Sequence, residues 1–335
     1  MKVLHLFASP FFTGPAEAIT QLALAQRALG HEVFVAVDRK RHTTTSEELL
    51  VPRLEPLGLL SSAGLELSVK SSPLALLRDV RRLSQLEVDV VHCHFSHDHT
   101  LARLGRPRGA LLVRSLHAPR SLRWSLPAAD AFTVPMDSMT RGLLGHRVLV
   151  LPALVGAEFQ PAVDRFALRR ELGLPAEGRL LGMVSTFQPS RRHSLGLEAF
   201  ARRHARDPSL RLVLVGDGPL EGDLRARAAP LGEAVRFVGY QSGPAFVRHL
   251  QALDEVWLLG LGNDWSARAA AQARACGVRV VAVDEGALGR YADALAEPEV
   301  DSLVAASEAG RTRELKLESP EAIARRVLEF YGRAG

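Results

Sequence analysis

Residues 210–240 read LRLVLVGDGPLEGDLRARAAPLGEAVRFVGY. An apolar run, LRLVLVG (210–216), ends on glycine. A polar segment of helical character follows over 219–230, and then a second apolar run, AVRFVGY (234–240). Short continuous apolar runs bounded by turn residues mark strands buried on both faces. Strand, helix and strand in that order make a βαβ unit, and such units build parallel sheets covered by helices. Gly216 and Gly218, in VGDGP, allow the backbone to approach a ligand closely where the strand ends. The same two glycines serve equally well in a plain tight turn.

The pattern repeats in both directions. RLLGMVST (179–186) precedes this unit, and EVWLLG (255–260) and VRVVAVD (278–284) follow it, with helical segments at about 194–205, 244–252 and 266–275. The first half holds its own series: VLHLFA (3–8), EVFVAV (32–37), VDVVHCHF (88–95), ALLVRSL (110–116), FTVP (132–135) and RVLVLP (147–152). Segment 153–179 reads as a hinge region with one short helix. The expected architecture is α/β, with two Rossmann-like parallel-sheet domains facing across a cleft. Residues 1–155 form the first domain, 156–318 the second, and 319–335 a C-terminal helix returning toward domain one. In such sheets ligands bind beyond the carboxyl ends of the strands.

Composition narrows the class. The chain has 335 residues, 47% hydrophobic and 24% charged, which excludes a disordered or collagen-like chain. No apolar run approaches the roughly 20 residues that cross a bilayer. MKVLHLFASPFF reads as a first strand, since its apolar stretch is very short and Pro10 interrupts it. Cys93 and Cys276 lie far apart in apolar contexts, so the expected compartment is the cytoplasm. The net charge is +5, and only four of the 42 basic residues are lysine. Segment Thr100–Ala129 carries Arg103, Arg106, Arg108, Arg114, Arg120 and Arg123 and no acidic residue. A genome biased toward arginine explains the composition. The one-sided segment suggests an anionic acceptor or peripheral contact of the N-terminal domain with an inner membrane face. Nucleic acid is not expected, because no aromatic pattern accompanies the arginines.

Local motifs come next. SPFFTGPAEAI leads from strand one through Gly14 into a helix, a turn that aims backbone N–H groups and the helix dipole at an anion. It is neither a G-x-G-x-x-G fingerprint nor a P-loop. His92, His94, His97 and His99 crowd one segment, yet no set of cysteine or carboxylate ligands completes a zinc pattern, so no metal is expected. His5 and His31 read as structural. Tyr240 ends VRFVGY, at the tip of a strand where a loop begins.

Taken in order, these pieces resemble the family-4 glycosyltransferases, retaining enzymes of the GT-B fold. In the second half LGMVSTFQPSRRH (181–193), VGDGP, VRFVGY, NDWSARAAAQARACG (263–277) and VRVVAVDEGALGR (278–290) resemble the donor-binding domain. In the first half TGPAEAITQLALAQRALGHEV (13–33), VDVVHCHF and VRSLHAP (113–119) resemble the acceptor domain, and ALVGAEFQP (153–161) the linker. The resemblance implies transfer from a nucleotide-diphosphate sugar, with UDP or GDP as the nucleotide, onto a glycan, lipid-linked or polysaccharide acceptor. It implies no cofactor and no metal. The leaving diphosphate then needs side-chain cations, backbone N–H groups and helix N-termini.

Several motif positions depart from the family. Thr186 stands where the family has Arg, and Arg191, with Arg192 beside it, where it has Lys. Asp264 and Gln272 fill the E-x7-E positions, Asp264 toward the sugar and Gln272 toward the ribose. Trp265, Gly289 and Arg290 also depart. The implied roles are catalytic for Asp264 and His117, and donor-binding for Gly14, Thr186, Arg191, Arg192, Gly216, Gly218, Tyr240, Arg268 and Gln272. The departures leave open a second reading, a degenerate relative acting as a nucleotide-sugar sensor or partner subunit.

Overall fold

The structure, a computed structural model, describes residues 1–39, 49–122, 128–262, 265–310 and 312–332. The chain divides into two compact units. Unit one is Met1–Leu154 together with the C-terminal segment from Glu318, and unit two is Val155–Leu317.

Unit one holds strands β1 (Lys2–Phe7), β2 (Glu32–Val37), β3 (Val90–Cys93), β4 (Leu111–Ser115), β5 (Ala131–Val134) and β6 (Arg147–Val150). They form a sheet of order β2-β1-β3-β4-β5-β6, and every pair is parallel. Alternation sends β1 side chains to opposite faces. Val3 and Phe7 join one core with helix Gly14–Ala28 and helix Pro320–Gly332. Leu4 and Leu6 join the other, with Leu83 and Leu101. This explains the unbroken apolar runs, since a strand covered on both sides has no face left for polar residues. The C-terminal helix belongs to this core through Ile323, Ala324, Val327, Leu328 and Tyr331.

Unit two holds β7 (Leu180–Val184), β8 (Arg211–Val215), β9 (Val235–Gly239), β10 (Glu255–Leu258), β11 (Arg279–Val283) and β12 (Ala294–Ala296). Their order is β12-β11-β10-β7-β8-β9, again parallel throughout. Around Phe187, Phe200, Leu214 and Trp257 lies one contiguous core.

Three helices of nine residues or more, Pro73–Ser84, Ser96–Leu104 and Val300–Glu308, fall outside the segments expected to be helical. Ser96–Leu104 reads SHDHTLARL, whose first half is poor in helix formers. It starts because the Asp98 carboxylate turns back to accept the Phe95 N–H at 2.9 Å. Among the described residues, no helix is long and apolar enough to cross a membrane.

Candidate functional site

Each sheet reverses its winding once. In unit two β7 leads outward to β8 and β9, while β10 returns beside β7 and leads to β11 and β12. The loops leaving neighbouring strands there part in opposite directions, and a crevice opens at the carboxyl ends. Around that point the structure gathers most of the expected donor residues.

The loop after β7 carries Thr186, which is exposed, and then the turn Pro189–Arg191. Arg191 Nη1 donates to the carbonyl of Gly260 at 2.8 Å, in the loop after β10. Arg192 donates to the carbonyl of Leu259 in the same loop and pairs with Glu285 Oε2 at 2.9 Å. The fit leaves no room for side chains on the partner loop. A Cβ on Gly260 would overlap the Ser190 carbonyl, and one on Gly262 would lie 2.7 Å from Arg191 Nη2. Gly260, Gly262 and Glu285 were missed in the sequence. The only signal was the glycine pair in LLGLG, which reads as an ordinary strand end.

Two helices begin at this crevice, His193–Arg206 and Arg268–Ala275. Their N-caps, Arg192 and Ala267, both have left-handed backbones (φ 54 and 56), and neither residue supplies a side-chain cap. Left-handed non-glycine residues are held only where the surroundings fix them. Arg268 opens the second helix, and Gln272 sits one turn on, 1% exposed. Behind the arginines, His193 is held neutral, its pKa pushed down to about 4, by burial first and then by Arg191. Trp265 packs its ring edge by Gly286 and donates to the Gly262 carbonyl at 3.2 Å. Asp264 lies outside the described residues.

VGDGP forms the neighbouring wall. Gly216 (φ 146) and Gly218 (φ 148) press against the β7 loop: a Cβ on Gly216 would overlap the Ser185 carbonyl, and one on Gly218 would lie 2.8 Å from Phe187 N and O. Phe187 N donates to Asp217 O at 2.6 Å. The glycines are thus needed for loop-to-loop packing. Tyr240, just past β9, is 46% exposed. Arg290 is exposed on the β11 side.

Unit one reverses between β1 and β3. The loop after β1 enters helix Gly14–Ala28 at Gly14, with Pro15 in its first turn and no side-chain cap from Thr13. Beside it, the ring of His117 stacks on that of His94 (centroids 5.8 Å, 24°) and lies 6.2 Å from that of Phe95. Below is a buried polar network. His5 and His92 are register partners on β1 and β3. His5 Nε2 meets Gln26 Oε1 at 3.0 Å and His5 Nδ1 meets His94 Nε2 at 3.1 Å. His92 meets Tyr331 Oη at 2.6 Å and Ser115 Oγ at 2.7 Å.

With Gln26 Oε1 as acceptor, His5 donates from Nε2, so its Nδ1 accepts from His94. His94 Nδ1 is then an acceptor, buried and without a partner. Ring nitrogens of His5, His92 and His94 lie within 4.8 Å of one another, close enough to share a metal ion. Binding one would break hydrogen bonds that already occupy five of their six nitrogens. Burial drives all three pKa values down, that of His5 to about 4. His97 and His99, of the same sequence segment, sit on helix Ser96–Leu104, off the strand that carries His92.

Two family models match the chain. Residues 12–152 match "Glycosyltransferase Family 4" and residues 164–297 match "Glycosyl transferases group 1". The D-inositol 3-phosphate glycosyltransferase of Stackebrandtia nassauensis is 34% identical over 153 residues, 42% of this chain and 34% of that protein. Its counterpart from Geodermatophilus obscurus is 28% identical over 254 residues, 64% of this chain and 56% of that protein. The matches thus span between a third and just over half of these relatives. Among solved structures, Anabaena Alr3699/HepE in complex with UDP superposes with a TM-score of 0.72 at 16% identity, covering 99% of this chain and 100% of that one. A glycosyltransferase from Rickettsia africae gives 0.71 at 13%, covering 99% and 98%. At such identities the likeness establishes the shared fold, GT-B.

Proposed function

This chain belongs to the family-4 glycosyltransferases, and from that premise we propose that it moves a sugar from a nucleoside-diphosphate donor to a glycan or lipid-linked acceptor, with retention at the anomeric carbon and without a metal. One observation carries the donor half of the proposal. At the β7/β10 crevice two arginines converge with two helix starts whose N-cap residues, Arg192 and Ala267, offer no side-chain cap. A departing diphosphate gathers negative charge, and fixed cations with helix N-termini stabilise it in place. Arg191 and Arg192 supply the charge in this reading, with Arg268 at the start of the second helix. Gly216 and Gly218 line the crevice, Thr186 lies at its rim and Tyr240 stacks on the base. Gln272 bonds the ribose and Asp264 the transferred sugar. His117 and the Gly14 loop meet the acceptor. The Anabaena neighbour was solved with UDP, which makes UDP the first nucleotide to test.

The experiment is thermal melting against UDP-, GDP-, ADP-, CMP- and dTDP-sugars, followed by donor hydrolysis for each hit. Binding at ~100 times Kd stabilises by about 2.7 kcal/mol. A stabilising donor that is also slowly hydrolysed supports the transferase. A donor bound without hydrolysis or transfer favours the sensor. No stabilisation by any donor in a folded chain removes the donor site. Asp264→Ala should abolish transfer without changing the melt, and an active variant would take Asp264 out of the mechanism.

For the acceptor we propose an anionic membrane surface as the source. Helix Pro73–Ser84 shows solvent Leu74 (74% exposed) and Leu77 (65%), with Arg78 and Arg81 on the same side and Val69 and Lys70 just before it. Exposed leucines among cations suit the interface of anionic lipid. Replacing both leucines by glutamate should abolish sedimentation with phosphatidylglycerol vesicles. Equal sedimentation with pure phosphatidylcholine would remove the electrostatic part of the argument.

A further inference from the structure

In unit one, a single buried carboxylate joins the two loops that part at the β1/β3 crevice. Asp98 is 0% exposed. It accepts the N–H of Phe95 at 2.9 and 3.1 Å, which serves the start of its own helix. It also accepts the N–H of His94 at 3.4 Å and, from across the crevice, that of Ala8 at 3.2 Å. Capping the helix does not require the bond to Ala8, which lies 90 residues away. Ala8 is the first residue after β1, on the way to Gly14. His94 and Phe95 carry the rings that pack against His117. From β4, the buried Arg114 faces the carboxylate at 3.8 Å, beyond hydrogen-bond reach. The charge is therefore balanced while the oxygen lone pairs remain with the backbone donors.

We propose that Asp98 is a positioning residue for the acceptor side of the site: it locks the Gly14 loop to the His94–Phe95 backing of His117. This rests on the reading that Gly14 and His117 meet the acceptor. A carboxylate suits the task because, ionised above its pKa of about 7, it only accepts, so several N–H groups can share it. An amide of the same shape turns an N–H toward those donors and breaks part of the set.

The test uses the full chain, wild type and Asp98→Asn, with segment-resolved hydrogen exchange and two-substrate kinetics. In the wild type the Ala8 amide should exchange as slowly as the β1 amides. In Asp98→Asn, exchange should rise about tenfold over residues 8–14, 94–96 and 116–118, with unit two unchanged. Acceptor KM should rise about tenfold while donor KM stays within about twofold, and Asp98→Glu should recover part of it; a tenfold change corresponds to about 1.4 kcal/mol. Uniformly faster exchange across unit one, or a fall in kcat with both KM values constant, would make Asp98 merely structural and overturn the proposal. So would a wild-type Ala8 amide that exchanges as fast as the rest of its loop, a measurement that stands even if the variant fails to fold. Donor hydrolysis with no transfer by the wild type, and Ala8 protected, would instead sink the acceptor reading and with it this role, while keeping the donor site.

Discussion

Single side chains at the unit-two crevice do two things at once. Arg192 is tied to the Leu259 carbonyl and to Glu285, and both of its partners come from loops that the glycines keep thin. The ion pair is partly exposed and contributes about 0–1 kcal/mol to stability. In the proposed donor site its larger effect would be on ligands, because Glu285 offsets the charge that Arg192 offers to a diphosphate. Glu285→Gln should therefore tighten UDP by roughly threefold or more, from the stronger field at close range. Titration calorimetry would read it, and weaker binding would show that Glu285 instead holds Arg192 in position. Gly260→Ala should act oppositely. Its methyl group meets Ser190 O and Arg192 Nη1, so the arginine turn must move. We expect UDP affinity to fall about tenfold with stability lowered by about 1–3 kcal/mol. Unchanged affinity by calorimetry would detach the arginine turn from nucleotide binding.

At the scale of elements, the C-terminal helix is part of unit one because its apolar face completes that core, and because Tyr331 reaches His92 at 2.6 Å. Arg147 Nη2 donates to the Phe330 carbonyl and its guanidinium lies 5.0 Å from the Phe330 ring, a second tie from β6. Tyr331→Phe removes a buried hydroxyl and leaves His92 Nδ1 without its partner. Leaving a buried polar group unsatisfied costs about 1–3 kcal/mol. The loss should appear in the urea unfolding of unit one while UDP binding to unit two stays constant. A stability unchanged within error would mean that water or a shifted Gln26 replaces the phenol.

Across the whole molecule, buried neutral histidines set the response to acid. His5, His92, His94, His99 and His193 all have pKa values lowered by burial. Each regains an ordinary value near 6.5 on unfolding. The unfolded chain therefore binds more protons below pH 6.5, and each such proton lowers stability by about 1.4 kcal/mol per pH unit until the folded pKa is reached. Asp98 opposes one of them. Burial raises its pKa to about 7 against the pull of Arg114, so it favours the folded state as pH falls from 7 toward 4. Five histidines outweigh one carboxylate. Urea unfolding should show stability dropping steeply between pH 6.5 and about 4, and a flat profile there would mean that these rings are solvated or protonated in the native state.

The sequence by itself determined the alternation. Apolar runs of strand length, glycines where they end and helical spacing between them dictate two parallel sheets, because burial on both faces leaves a chemical imprint on every strand. It also carried the order of motifs, and so the family. Tertiary structure alone decided which loops become neighbours. Glu285 lies 93 residues from Arg192, and Ala8 lies 90 from Asp98. His5 meets His94 across 89 residues and His92 meets Tyr331 across 239. Local periodicity reports only how a segment is covered. A glutamate in a loop, a histidine in a strand and an aspartate in a helix look alike whether or not a partner waits for them. Strand order supplies that partner: only when β10 returns beside β7, and β3 beside β1, do distant loops share one rim.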